Sequence, residues 1–403
     1  MLSNKWSLLS TFVLAALKPV SAAIAPTGCV TFDSSWNLLA FGFNGKDYNA
    51  GTQDTWGSGT ATDITKSGRP PFNAANTTCY LSQFNNAVYV LNADNSDSSS
   101  VFVYDVVGAA WSTQKVTKGQ FDPSNFAAIL DHDTNVFYAY SNAVIYSLDL
   151  GDVKGTASGS AIPWNDVQSP DLASHADNSA VATPGANTAG YQPVVALAQN
   201  HIHFLGVPTL QNGEAKIFVI HFSYMQPAPQ SYGTPAFPNA HGKAVSFFQP
   251  EGKGVQTEFA FIPDDGSATY VVNVVSNSTK GLAGPPKGDP LATYSASTTA
   301  LVQLSSEGKV SYLAYDPAST TSGGTWASIS KLPTATFSTS SGTTSGSSNG
   351  TSTASSPGSS QSGKSNPNNG ASGSQNSGAA RVDVSVVVGM AAAAAMALIG
   401  ATV

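Results

Sequence analysis

Between residues 25 and 333 this 403-residue chain keeps returning to one local pattern. Short runs rich in Val, Ile, Tyr and Phe alternate with Gly, Asn, Asp and Ser. Ala87-Val88-Tyr89-Val90-Leu91, Val101-Phe102-Val103-Tyr104, Val136-Phe137-Tyr138-Ala139-Tyr140, Ala143-Val144-Ile145-Tyr146 and Ile217-Phe218-Val219-Ile220 are examples. β-Branched and aromatic residues in such brief runs, punctuated by turn formers, read as strands. No apolar stripe at helical spacing persists over three turns, so the fold class is all-β.

The runs also repeat on a longer scale. Units start near Cys29, Cys79, Phe126, Pro193, Ala244 and Ala300, roughly 45 to 65 residues apart, with three or four strands in each. The first unit has Leu38-Leu39-Ala40-Phe41-Gly42-Phe43 as its second strand. This is the pattern of a β-propeller, in which four-stranded blades surround a channel. Six blades are expected, and seven if Gly51–Ser67 pairs within a further sheet. Tyr104-Asp105 with Trp111, Leu148-Asp149 with Trp164, and Tyr315-Asp316 with Trp326 resemble the third and fourth strands of kelch-type blades, as in the central domain of galactose-oxidase-like proteins. The Gly-Gly pair that ends the second strand of a kelch blade is replaced here by Asn92-Ala93, Ser141-Asn142 or Gly206-Val207, so the resemblance is kelch-like.

Both ends carry processing signals. Lys5, an apolar stretch from Trp6 to Leu17, Pro19 and Val20-Ser21-Ala22 make a signal peptide over 1–22. At the other end, the small residues Asn376–Ala380 precede a spacer with Arg381 and Asp383 and an uncharged tail, Val384–Val403. That order is the signal for a glycosylphosphatidylinositol (GPI) anchor, with Asn376 or Ser377 as the attachment residue and 377–403 removed. Between the head (23–333) and the tail, residues 334–376 are Ser, Thr, Gly and Asn with almost nothing apolar to bury. Such a segment stays disordered, and its hydroxyls suit an O-glycosylated stalk. With these signals the chain resembles fungal GPI-anchored surface proteins built on a kelch-like propeller. The resemblance implies a place on the outer face of the plasma membrane or in the cell wall, and no assigned activity.

Charged residues are 10% of the chain and the net charge is −7, against roughly 25% charged in average soluble proteins. No basic patch is present, which excludes nucleic acid as a partner. Cys29 and Cys79 are the only cysteines, and in an oxidising compartment they pair. They fall at equivalent points of successive units, so the bond should clamp the first two blades. Asn76, Asn277 and Asn349 open Asn-x-Ser/Thr sequons for N-glycosylation.

Candidate chemistry is sparse. His201 and His203 share one strand face, with His221 ending the next strand, but no further ligand completes a metal set. Outward polar positions account for them. Asp131-His132-Asp133 reads as a solvated turn. Gly346–Gly350 spells a nucleophile-elbow motif by letters alone, inside the stalk. No phosphate loop or dinucleotide fingerprint appears, so no cofactor is expected. Of Trp36, Trp56, Trp111, Trp164 and Trp326, three recur at one place in their units and read as blade packing. Trp56, in the Gly-rich segment Gly51–Thr60, breaks the pattern and is the candidate binding aromatic. Three functions remain: a non-catalytic head binding a glycan or a protein, an anchored carbohydrate-active enzyme, and a structural wall glycoprotein.

Overall fold

Six antiparallel sheets follow one another along the chain. They were obtained from a computed structural model that describes residues 24–173, 188, 190–250, 252–319 and 324–337. The signal peptide, most of the expected stalk, Asn349, the anchor candidates Asn376 and Ser377, and Gly346–Gly350 lie outside the described residues.

Blade 1 comprises Cys29–Phe32, Leu38–Phe43, Lys46–Gly51 and Thr62–Asp63. Blade 2 comprises Thr78–Ser82, Ala87–Leu91, Val101–Asp105 and Ala110–Gln114. Blade 3 is Ala127–Asp131, Val136–Ser141, Val144–Asp149 and Asn165–Gln168. Blade 4 is Val194–Ala198, His201–Leu205, Glu214–Val219 and Tyr224–Met225, with Gln230–Ser231 also paired to its third strand. Blade 5 is Gly242–Ser246, Glu258–Pro263, Ala268–Asn273 and Ser278–Ala283. Blade 6 is Thr293–Ala296, Ala300–Leu304, Val310–Ala314 and Trp326–Ser328. The count is therefore six. Gly51–Ser67 supplies the fourth strand of blade 1 instead of a seventh sheet.

Burial follows from this arrangement. A second strand is sandwiched between the two neighbouring blades, so Ala87–Leu91 and Ala300–Leu304 are buried at every position and read as continuous apolar runs. The apolar side chains fall into six clusters, one at each seam between adjacent blades. The recurring tryptophans fill such seams. Trp111 packs on Phe41 of blade 1, Trp164 stacks on Phe121 at 4.2 Å, and Trp326 donates its Nε1–H to the Ala283 carbonyl of blade 5 at 2.9 Å.

The repeated Asp has a local cause. Asp105, Asp149 and Asp316 each accept the backbone N–H two residues on, at 2.8–3.0 Å, and so close the turn from third to fourth strand. In blade 5 Asn273 does the same for Val275. After the second strand the chain needs a left-handed residue. Asn44 and Gly45 supply it in blade 1, Gly206 in blade 4, and Asn92 and Asn142 in blades 2 and 3, because Asn tolerates that region better than other side chains.

Two features were misplaced by the sequence pattern. The sixth blade begins at Thr293, so Ala300 opens its second strand. The head also runs past Pro333. Ala335 is buried and donates to the Gly308 carbonyl, and Phe337 packs on the seam between blades 1 and 6. A Cβ on Gly308, at φ +77°, would stand 1.8 Å from the Ala335 carbonyl oxygen.

The ring closes by packing at that seam. Residues 329–337 form a strap from blade 6 over blade 1. Asn44 Nδ2 donates to the Thr334 carbonyl at 2.9 Å, and the Thr336 N–H donates to Asn44 Oδ1 at 2.8 Å. The Cys29–Cys79 disulfide joins the innermost strands of blades 1 and 2, with Cα atoms 5.8 Å apart.

Candidate functional site: the axial channel

The innermost strands of all six blades line a cavity of about 640 Å³. Its mouth lies where these strands begin, among Asn76, Asn92, Ser124, Asn125, Gln192 and His241. Asn92 and Asp264 come from turns between second and third strands, which share this face because neighbouring strands are antiparallel. The walls mix apolar side chains such as Leu81, Ile129 and Val195 with polar ones such as Thr31, Ser246 and Thr293.

At the far end, connections between first and second strands meet across the axis. Phe248 of blade 5 packs on Trp36 of blade 1 at 5.4 Å and on His132 of blade 3 at 4.8 Å. Gln83 of blade 2 donates across the axis to the Gln249 carbonyl at 3.5 Å. Burial pushes the His132 imidazole down to about 4, so it stays neutral, and its Nδ1 has no partner. The turn expected at Asp131–Asp133 is present but only partly solvated. Asp131 is buried and takes the Thr134 hydroxyl. Desolvation raises the pKa of its carboxyl.

Polar chemistry concentrates on one side of the mouth, between blades 5 and 6. His241 Nδ1 lies 2.6 Å from Asp264 Oδ2. The other carboxylate oxygen, Asp264 Oδ1, is buried and has no hydrogen-bond partner. Lys243, two residues further along the same inner strand, also lines the cavity. Burial lowers its pKa, while the fields of Asp264 and Asp289 oppose that shift. Opposite, the Tyr294 hydroxyl accepts Gln303 Nε2 at 2.8 Å, and burial raises its pKa. None of His241, Lys243 and Asp264 is marked by a motif. They meet through the pairing of Gly242 with Pro263, which brings positions 241 and 264 together from separate strand ends.

The residues singled out from the sequence sit elsewhere. Trp56 is fully buried and donates its Nε1–H to the Gly51 carbonyl at 2.8 Å. It packs edge-on against Tyr312 of blade 6 at 4.9 Å and beside Phe32 of blade 1. An indole with no exposed face cannot stack on a sugar; Trp56 is a ring-closing side chain. His203 is not an outward polar position either. It is buried against Phe259 and Tyr232 at the seam of blades 4 and 5, and its pKa is pushed down to about 3. His221 is exposed beside Asn200. Among the described residues no three His, Cys, Asp or Glu side chains converge as a metal site. Asn277 is exposed in a turn between third and fourth strands, and Asn76 is exposed on the channel rim. A glycan on Asn76 would therefore stand at the mouth.

The fold is a six-bladed β-propeller, consistent with a kelch-like one. No protein-family model matches the chain, and no curated protein matches it either.

Proposed function

We propose that this propeller is the ligand-binding head of an anchored extracellular protein, and that it takes a glycan through the axial channel without chemical turnover. The observation that carries this is the channel itself. It is crossed at its far end by the contacts of Phe248 and Gln83, is of a size usual for small-ligand sites (roughly 300–1,000 Å³), and is rimmed by amides and hydroxyls over walls that mix apolar and polar side chains. Amides pair with sugar hydroxyls, and apolar walls accept the C–H faces of sugar rings. The lipid anchor and stalk are read from the sequence signals at 334–403, and with them the head would stand outside the cell.

A second reading, a protein ligand, has support of its own. Phe84, Val107, Phe222 and Val275 are exposed at turns on the face opposite the mouth, and large exposed apolar side chains gathered on one face suit a protein partner.

The test is a glycan and wall-polysaccharide array probed with the purified full chain, scoring both retained protein and altered ligand. Retention without alteration is expected. Turnover would replace the binding head with an enzyme, and no retention on any glycan would remove the glycan reading. Release of the protein from cells by phosphatidylinositol-specific phospholipase tests the anchor, and an unreleased, wall-linked form would favour the structural role.

A further inference from the structure

The cluster at the blade 5–6 side of the mouth narrows what the channel can take. Resting on the reading of the channel as a glycan site, we infer that it recognises a neutral sugar through a pair of adjacent hydroxyls, held between Asp264 and Lys243, and that it rejects acidic and amino sugars.

The argument begins with unmet hydrogen-bonding capacity. Asp264 Oδ1 is buried and accepts nothing. A buried carboxylate oxygen without a donor is destabilising, which makes it a strong acceptor for a partner. Lys243 lines the cavity, and among the described residues it forms no ion pair and no side-chain hydrogen bond. An unsatisfied acceptor and a lysine donor therefore line the same side of the wall, close enough for Asp264 to act on the Lys243 charge. His241 is fixed there by Asp264 through Nδ1, which leaves its Nε2 for a ligand.

Charge then selects among ligands. The positive field of Lys243 is opposed by two carboxylates, Asp264 and Asp289. Asp289 is itself occupied, accepting the Ser306 N–H at 2.7 Å and the Leu291 N–H at 3.2 Å. A uronate entering the mouth meets Asp264 without a net cationic field to offset the repulsion. A protonated amino sugar meets Lys243. A hydroxyl both donates and accepts, so two neighbouring hydroxyls can give one proton to Asp264 Oδ1 and take one from Lys243 with no change in net charge. Hydrogen bonds to charged groups are the stronger kind, and a site built for them discriminates sharply against a ligand lacking the hydroxyl.

The experiment is calorimetric titration of the purified full chain with neutral hexose oligomers, uronate oligomers and deacetylated amino-sugar oligomers. A neutral oligomer should bind, and the two charged classes should bind at least 10-fold more weakly. Asp264→Asn and Lys243→Met should each weaken the neutral ligand about 10-fold or more, whereas Asn165→Ala on the outer edge of blade 3 should not. Deoxy versions of the bound sugar, lacking one or the other hydroxyl, should lose a similar factor; this arm needs no protein variant and stands if a variant fails to fold. Tighter binding of a charged oligomer would overturn the neutral-sugar inference while keeping the binding head. Neutral binding insensitive to both substitutions and to deoxygenation would overturn the assignment to this cluster. No binding of any saccharide would overturn the inference and the glycan reading together.

Discussion

Replacing Trp56 by alanine separates a ring-closing indole from a sugar-stacking one, because the two roles predict opposite results. The side chain is fully buried at the seam where the first and last blades meet. Truncating a buried Trp to Ala costs about 3–5 kcal/mol. The loss includes the edge-on contact with Tyr312 at 4.9 Å and the Nε1 hydrogen bond that satisfies the Gly51 carbonyl, so about 4 kcal/mol is expected. At roughly 2.1 cal/mol/K per residue, a head of about 300 residues has an unfolding entropy of about 0.6 kcal/mol/K, which converts the loss into a Tm about 7 °C lower. Trp56→Phe keeps most of the volume and loses the hydrogen bond, so it should fall between. Thermal unfolding of the purified full chain, followed by far-ultraviolet circular dichroism, reads this directly. A surface aromatic would change stability by only about 0.5 kcal/mol. An unchanged Tm together with weakened glycan binding would refute the burial argument.

Three further outcomes follow from other contacts. Replacing Cys29 and Cys79 by Ser releases a loop with a sequence separation of 50, for which chain entropy gives a loss of about 4 kcal/mol; a urea midpoint equal to that of the oxidised protein would contradict it. Arg69 bridges both oxygens of the fully buried Asp47 at 2.7 and 2.8 Å, so Arg69→Met should cost about 3–5 kcal/mol by stranding that carboxylate, and Asp47→Asn in the same chain should recover part of it. Because burial holds His203 neutral in the fold, down to about 3, the unfolded chain takes up its proton first as pH falls through about 6.5; the His203 contribution is intact above that pH and fades toward pH 3, with a slope of at most about 1.4 kcal/mol per pH unit. His203→Phe should therefore lose less stability than the parent chain between pH 7 and 4.5 in urea melts, and equal acid sensitivity would sink the assignment.

The propeller was legible in the sequence because its blades repeat local devices that leave marks on residues. Asp105, Asp149 and Asp316 close equivalent turns, and Trp111, Trp164 and Trp326 follow them at the seams. Blade 5 was fainter because Asn273 serves there in place of Asp. The first strand of blade 6 was missed because Thr293–Ala296 is four residues of mixed polarity, Thr-Tyr-Ser-Ala, lining a channel instead of a core. Trp56 misled for a related reason: a Gly-rich neighbourhood looks exposed, but the long loop between the third and fourth strands of blade 1 folds its indole onto blade 6. The channel cluster had no signal to find. His241 and Asp264 are 23 residues apart and meet only because a strand pairing closes between them.

The strap over the seam also sets how the head carries load. Tension applied through the residues after 337 first reaches the hydrogen bond of Thr336 to Asn44, then the Ala335–Gly308 pair, then the bond of Thr334 to Asn44, before it reaches any sheet. The bonds to Asn44 hold blade 1 and the bond to Gly308 holds blade 6, so a pull strips the clasp that spans the seam one bond at a time. The disulfide bridges the next seam, between blades 1 and 2, and not this one. A head tugged by its C-terminal end would therefore begin to open at the junction that covalent chemistry leaves unprotected.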